Sequence, residues 1–136
     1  MSIADKIFIG HKTFKEEYKE DPDLLFVSSY AHEQICSAPE FERCVQSNVV
    51  GCELIPVLSM DQEYRFLTRE DVEQARTSYN NSPSDPVLIR KLVKTDRSEA
   101  ANARRLGEEK AAKHLYVPLD IIRAYERHFG NKDLNF

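Results

Sequence analysis

The sequence predicts an α+β protein: a small, mostly antiparallel sheet covered by helices, with a helical C-terminal half. Three features carry that expectation. Short apolar runs bounded by turn-forming residues crowd the first 67 positions. Beyond position 68, apolar side chains recur at helical spacing behind recognisable capping residues. The chain has 136 residues, 41% of them hydrophobic and 31% charged, which suits one globular core rather than a disordered or repetitive polymer.

Lys6-Ile7-Phe8-Ile9 reads as a short β-branched and aromatic strand closed by Gly10. A helix is the alternative, because Ile3, Ile7 and Phe14 can share a face. Thr13 can cap a short helix to Lys19, ended by Asp21-Pro22-Asp23, since the residue before proline avoids helical backbone. Leu24–Val27 is continuous and apolar, the pattern of a strand covered on both faces. Ser37-Ala38-Pro39-Glu40 is a helix start, with Phe41, Cys44 and Val45 on its inner face. Val49–Leu58 reads as a strand at an edge or bulge, because Pro56 has no N–H to donate. Glu63–Leu67 alternates, and is expected to pair with it as an antiparallel hairpin.

Thr68 then places a hydroxyl cap ahead of Glu70 and Asp71, with Val72, Ala75 and Tyr79 at helical spacing. Asn80–Pro86 is the clearest loop. Pro86 can start a helix carrying Leu88, Ile89, Leu92 and Val93, and Thr95 another reaching Leu115, with Ala100, Ala103, Gly107 and Ala111 inside. Pro118 starts the last helix, striped by Leu119, Ile122, Tyr125 and Phe129, and Gly130 is placed to end it. The organisation implied is a single domain over 1–136. Its sheet-rich acidic part covers about 1–67, its helical basic part about 68–130, and a short tail 131–136.

Net charge is −4 but uneven. Residues 1–85 hold eight Lys/Arg against sixteen Asp/Glu, a balance of −8; residues 86–136 hold eleven against seven, a balance of +4. Either the halves attract one another within the fold, or each offers a surface to a partner. No run approaches a membrane span or a signal peptide, so a cytoplasmic protein without membrane partners is expected. Three cysteines, Cys36, Cys44 and Cys52, fit free thiols better than a disulfide framework.

Candidate chemistry is sparse. His32, Cys36 and Cys44 fall on one face of an unbroken helix, but Pro39 interrupts it and no metal-ligand spacing occurs, so no metal, cofactor or catalytic residue is assigned. The acids at Glu16–Asp23 and Glu70–Glu73 read as solvated charge or helix-start acids. Gly10-His11-Lys12 lacks the further glycines of a phosphate loop. The basic C-terminal region is the most informative feature: Arg90, Lys94, Arg97, Arg104, Arg105, Arg123 and Arg127, with Tyr116 and Tyr125 among them. Such residues neutralise phosphates and stack on bases, or meet an acidic protein. Against the first stand a pI of 5.6 and i,i+4 pairs such as Arg104 with Glu108.

The leading expectation is therefore a protein-interaction or regulatory module, through a protein partner or self-association, with Tyr18, Tyr30 and Tyr79 as exposed aromatics. A nucleic-acid binder is the alternative. A small enzyme is the second, requiring a cleft that gathers His11, His32 or Cys36 with carboxylates.

Overall fold

The computed structural model describes residues 2–39, 48–58, 60–93 and 112–133. The chain opens with helix α1, Ile3–Tyr18. Ser2 caps it, its hydroxyl accepting from the Asp5 N–H, and Lys19 closes it in the left-handed region at φ 58°. Ala4, Ile7, Phe14 and Tyr18 are buried, a helical period, while Phe8 and Ile9 are exposed. The strand expected at Lys6–Ile9 is therefore a helix. Its β-branched run yields to a capped helix with a complete inner face, and Thr13 lies inside it rather than at its start. Gly10 lets the Tyr64 ring lie directly against the helix; a Cβ there would stand 2.6 Å from Tyr64 Cε2.

Strand β1 (Leu24–Ser28) follows, then helix α2 (Ser29–Ser37), capped by the Ser28 hydroxyl. Serine 37 ends a helix instead of beginning one; the part of that expected helix from Glu40 on lies outside the described residues. Next come β2 (Asn48–Val49), β3 (Cys52–Val57) and β4 (Tyr64–Leu67), in a four-stranded sheet of order β2-β3-β1-β4. The β2–β3 turn places Val50 and Gly51 at positive φ, 45° and 76°.

The expected β3–β4 hairpin does not form. β1 lies between them, parallel to β3 (Leu25 beside Leu54) and antiparallel to β4 (Leu25 beside Phe66). The reason is in β1 itself: four consecutive buried residues need cover on two faces and a strand on each side, which makes it the centre. Glu53 N–H donates to Asp23 C=O at 3.0 Å, so alternate residues from 53 donate towards β1 and Pro56 sits where no donor is needed.

Helix α3 (Arg69–Asn81) begins on a full capping box: the Thr68 hydroxyl accepts from Asp71 N–H, and the Asp71 carboxylate accepts from Thr68 N–H. The loop is consequently shorter than Asn80–Pro86, because Asn81 is still helical. After Pro86 comes β5 (Val87–Leu92), paired antiparallel with β6 (Ala112–Val117) in a two-stranded ribbon from Val87 beside Val117 to Leu92 beside Ala112. Both segments were expected to be helical. Val87, Ile89 and Lys91 point inward and Leu88, Arg90 and Leu92 outward, a period of two that the helical reading missed. The remainder of the expected Asp96–Leu115 helix, with Ala100, Ala103, Gly107 and Ala111, lies outside the described residues. Helix α4 (Leu119–Asp133) starts where Asp85 Oδ1 accepts the Leu119 N–H at 3.0 Å, and it runs through Gly130.

Alternation in the four-stranded sheet divides the core. Leu24, Phe26, Ile55, Val57 and Leu67 face α3, α4 and the ribbon; Leu25, Val27, Cys52, Leu54 and Phe66 face α1 and α2. Among the described residues no helix is long and apolar enough to cross a membrane.

Candidate functional site

The ribbon presents two chemically different faces, and strand register sets both. Inward, Lys91 is almost fully buried. Its ammonium bonds Asp71 Oδ1 at 2.8 Å and also Glu20, and lies 5.1 Å from the Tyr18 ring centre. Burial opposes its charge, but the bonds to Asp71 and Glu20 outweigh that, and its pKa stands above the ordinary lysine value. One carboxylate thus serves two elements, since Asp71 closes the α3 cap and also holds β5. The cavity beside this triad, about 380 Å³, is lined by Glu20, Glu70, Gln74 and Arg90 among others. With Glu20 and Asp71 already bonded to Lys91, the triad reads as a clamp joining the segment after α1 to α3 and β5.

Outward, Leu88 stands directly opposite Tyr116, Arg90 opposite His114, and Leu92 opposite Ala112. Leu88, Leu92 and Tyr116 are 46%, 49% and 57% exposed. Arg90 is exposed and its side chain has no hydrogen-bond or ion-pair partner among the described residues. Large apolar groups here alternate with cationic or ionisable ones on one face of the two-stranded ribbon.

Of the basic residues singled out from sequence, Lys94, Arg97, Arg104 and Arg105 lie outside the described residues. Arg90 lies on the ribbon, Arg123 and Arg127 on α4. Arg123 is already engaged, bonded to Glu126 at 2.8 Å and stacked over Tyr79 at 5.4 Å. Tyr125 is buried and donates to Glu73 at 2.7 Å, and Tyr18 is buried too, which corrects its expected exposure. Tyr30 is exposed and Tyr79 partly buried.

The cleft an enzyme would need is not assembled by those histidines. His11 packs edge-on to Phe66, 5.7 Å between centres. His32 Nε2 lies 3.9 Å from Cys36 Sγ on the outer side of α2, with no carboxylate holding the ring among the described residues. Cys44 lies outside the described residues. Cys52 is buried and donates to Pro22 C=O at 3.2 Å; burial pushes its thiol up to about 12, so it is inert. No group of three His, Cys, Asp or Glu among the described residues is placed to hold a metal ion.

Sequence reasoning missed Leu88, Leu92 and Arg65, a partly buried arginine on β4. The period of two lies in the burial of Val87–Leu92 and not in its polarity, since three apolar residues are followed by Arg90 and Lys91, so the sequence carried little signal for the leucines. No family model matches the chain, and no curated protein or solved structure matches it.

Proposed function

We propose that this chain is a protein-interaction module whose contact surface is the outward face of the β5–β6 ribbon. The observation supporting it is three large, exposed apolar side chains interleaved with Arg90 and His114 on one face of the ribbon. Contiguous apolar exposure of this kind marks interaction surfaces, and aromatic and arginine side chains dominate their energetics. The fitting partner is a protein segment that alternates apolar and acidic side chains.

A nucleic-acid reading keeps one observation in its favour. An antiparallel ribbon fits a major groove, and Arg90, without a side-chain partner among the described residues, and exposed Tyr116 are its working residues. One set of measurements separates the two. A photo-crosslinking residue at position 116 is expected to give a discrete protein adduct that Leu88→Ser abolishes, while the same probe at Lys12 gives none. Titration with mixed-sequence DNA and RNA at low salt is expected to show no binding. Binding that falls steeply with salt, with no protein adduct, replaces the first reading by the second.

A further inference from the structure

Among the described residues, one partly buried cation has no carboxylate bonded to it. Arg65 stands in β4, in register with Phe26 of the central strand. It lines a cavity of about 340 Å³ bounded by Met60, Pro86, Tyr116, Pro118 and Ile121, and borders a second of about 290 Å³ against α1. Its side chain forms no hydrogen bond or ion pair among the described residues. Burial opposes its charge, only partly offset by Tyr18 and Asp71 nearby. A guanidinium cannot shed that charge by losing a proton, so one enclosed without a partner is short of an anion. Lys91, by contrast, holds two carboxylates.

We propose that the larger cavity binds a small monocarboxylate with an apolar body. The planar fork of Arg65 matches a carboxylate in bidentate fashion, and Gln62, on the wall the two cavities share, can donate beside it. Tyr116, Pro118 and Ile121 supply the apolar walls, and the volume lies at the small end of the range for organic ligands. Asp61 and Asp120 also line the cavity. They repel phosphate esters and dicarboxylates, which bring more than one negative charge, and they favour an ammonium beside the carboxylate. A free apolar amino acid and an N-acylated carboxylate both offer Arg65 the same group and differ only in that amine. The cavity shares Tyr116 with the ribbon face, but Arg65 and Asp120, where the test variants are made, lie off that face, so either reading can fail without the other.

The test titrates the protein with L-phenylalanine, N-acetyl-L-phenylalanine and inorganic phosphate while following backbone amide shifts. At least one carboxylate is expected to saturate at about 10 mM or below, moving amides of residues 60–65 and 116–121, with phosphate inert. Arg65→Gln is expected to weaken that binding about tenfold or more, through loss of charge-assisted hydrogen bonds. Arg65→Lys, which keeps the charge and loses the fork, retains an intermediate affinity and guards against a folding defect. Asp120→Asn is expected to weaken phenylalanine and to leave the acetylated form unchanged or tighter. No shift from either carboxylate, tighter binding of phosphate, or undiminished binding by folded Arg65→Gln overturns the proposal.

Discussion

The two faces of β5 differ by one residue of register and by nearly everything else. Inward, Val87, Ile89 and Lys91 are buried, and the one charge among them is gripped by Glu20, just beyond the end of α1, and by Asp71 of α3. Outward, Leu88, Arg90 and Leu92 are exposed, and the charge has no partner among the described residues. The same six residues thus hold the molecule together on one side and expose apolar and cationic side chains to solvent on the other. A buried cation persists only where other elements deliver carboxylates to it, whereas a surface cation needs none.

The comparison breaks first at its charges. Lys91→Met leaves Asp71 and Glu20 facing one another in a nearly closed site, and is expected to lower unfolding free energy by about 4 kcal/mol. Arg90→Met, one residue away, is expected to change it by less than about 0.5 kcal/mol. Urea denaturation of both variants decides, and equal effects would mean the clamp is not what fixes β5. Pairing Lys91→Met with Glu20→Gln and Asp71→Asn is expected to restore part of the loss, since the orphaned charges leave with the lysine.

The apolar positions sharpen it next. Ile89→Ala empties a site in the core and is expected to cost about 3 kcal/mol. Leu88→Ala removes an exposed side chain and is expected to fall within about 0.5 kcal/mol. Thermal or chemical melts of the pair give the ratio directly.

These contrasts mark how far the sequence could be read. Local signals were sufficient wherever chain neighbours decide structure. Thr68 with Asp71 named the start of α3, Pro118 preceded α4, and the unbroken run Leu24–Val27 announced a strand covered on both faces. Signals failed where distant partners decide. Lys6–Ile9 has strand composition but helical contacts, and Tyr64–Leu67 pairs with β1 because the centre of the sheet was vacant on that side. In Val87–Val93 the spacing of Leu88, Ile89, Leu92 and Val93 satisfies a helix as well as a strand, and a lysine at an inward position argues against burial until its two acids, 71 and 20 residues away in sequence, are seen. Of the candidate surface, Arg90 was legible by its charge. Its apolar companions were not, because they had been assigned to a core.

Alkaline pH probes Lys91 together with buried groups elsewhere in the core. Lys91 stands above its ordinary value because Asp71 and Glu20 outweigh its burial; burial lifts Tyr18, Tyr125 and Cys52, the last from 9.0 to about 12. Each raised group favours the native state while it stays protonated, so its contribution is complete below the ordinary value and is lost as pH climbs through the native one. Stability is expected to hold from neutrality to about pH 9 and to fall beyond it, with Cys52→Ala flattening the decline between pH 9.0 and about 12. Unfolding free energy measured at several pH values checks both, and a chain whose stability rises above pH 10 contradicts the assigned burial.

The smallest stability effect belongs to the change meant to matter most for binding. Leu88→Ser with Tyr116→Ser removes two opposed, exposed side chains and leaves Val87, Ile89 and Val117 in place, so unfolding free energy is expected to move by no more than about 0.5 kcal/mol. If the outward face is the contact surface, that variant loses its partner while melting like the parent, because hot-spot side chains at an interface carry energy that the isolated fold never uses. If it is instead an ordinary solvated face, association survives unchanged. A variant that destabilises by several kcal/mol shows that Leu88 and Tyr116 pack against part of the same chain, and the division between the two faces of β5 fails.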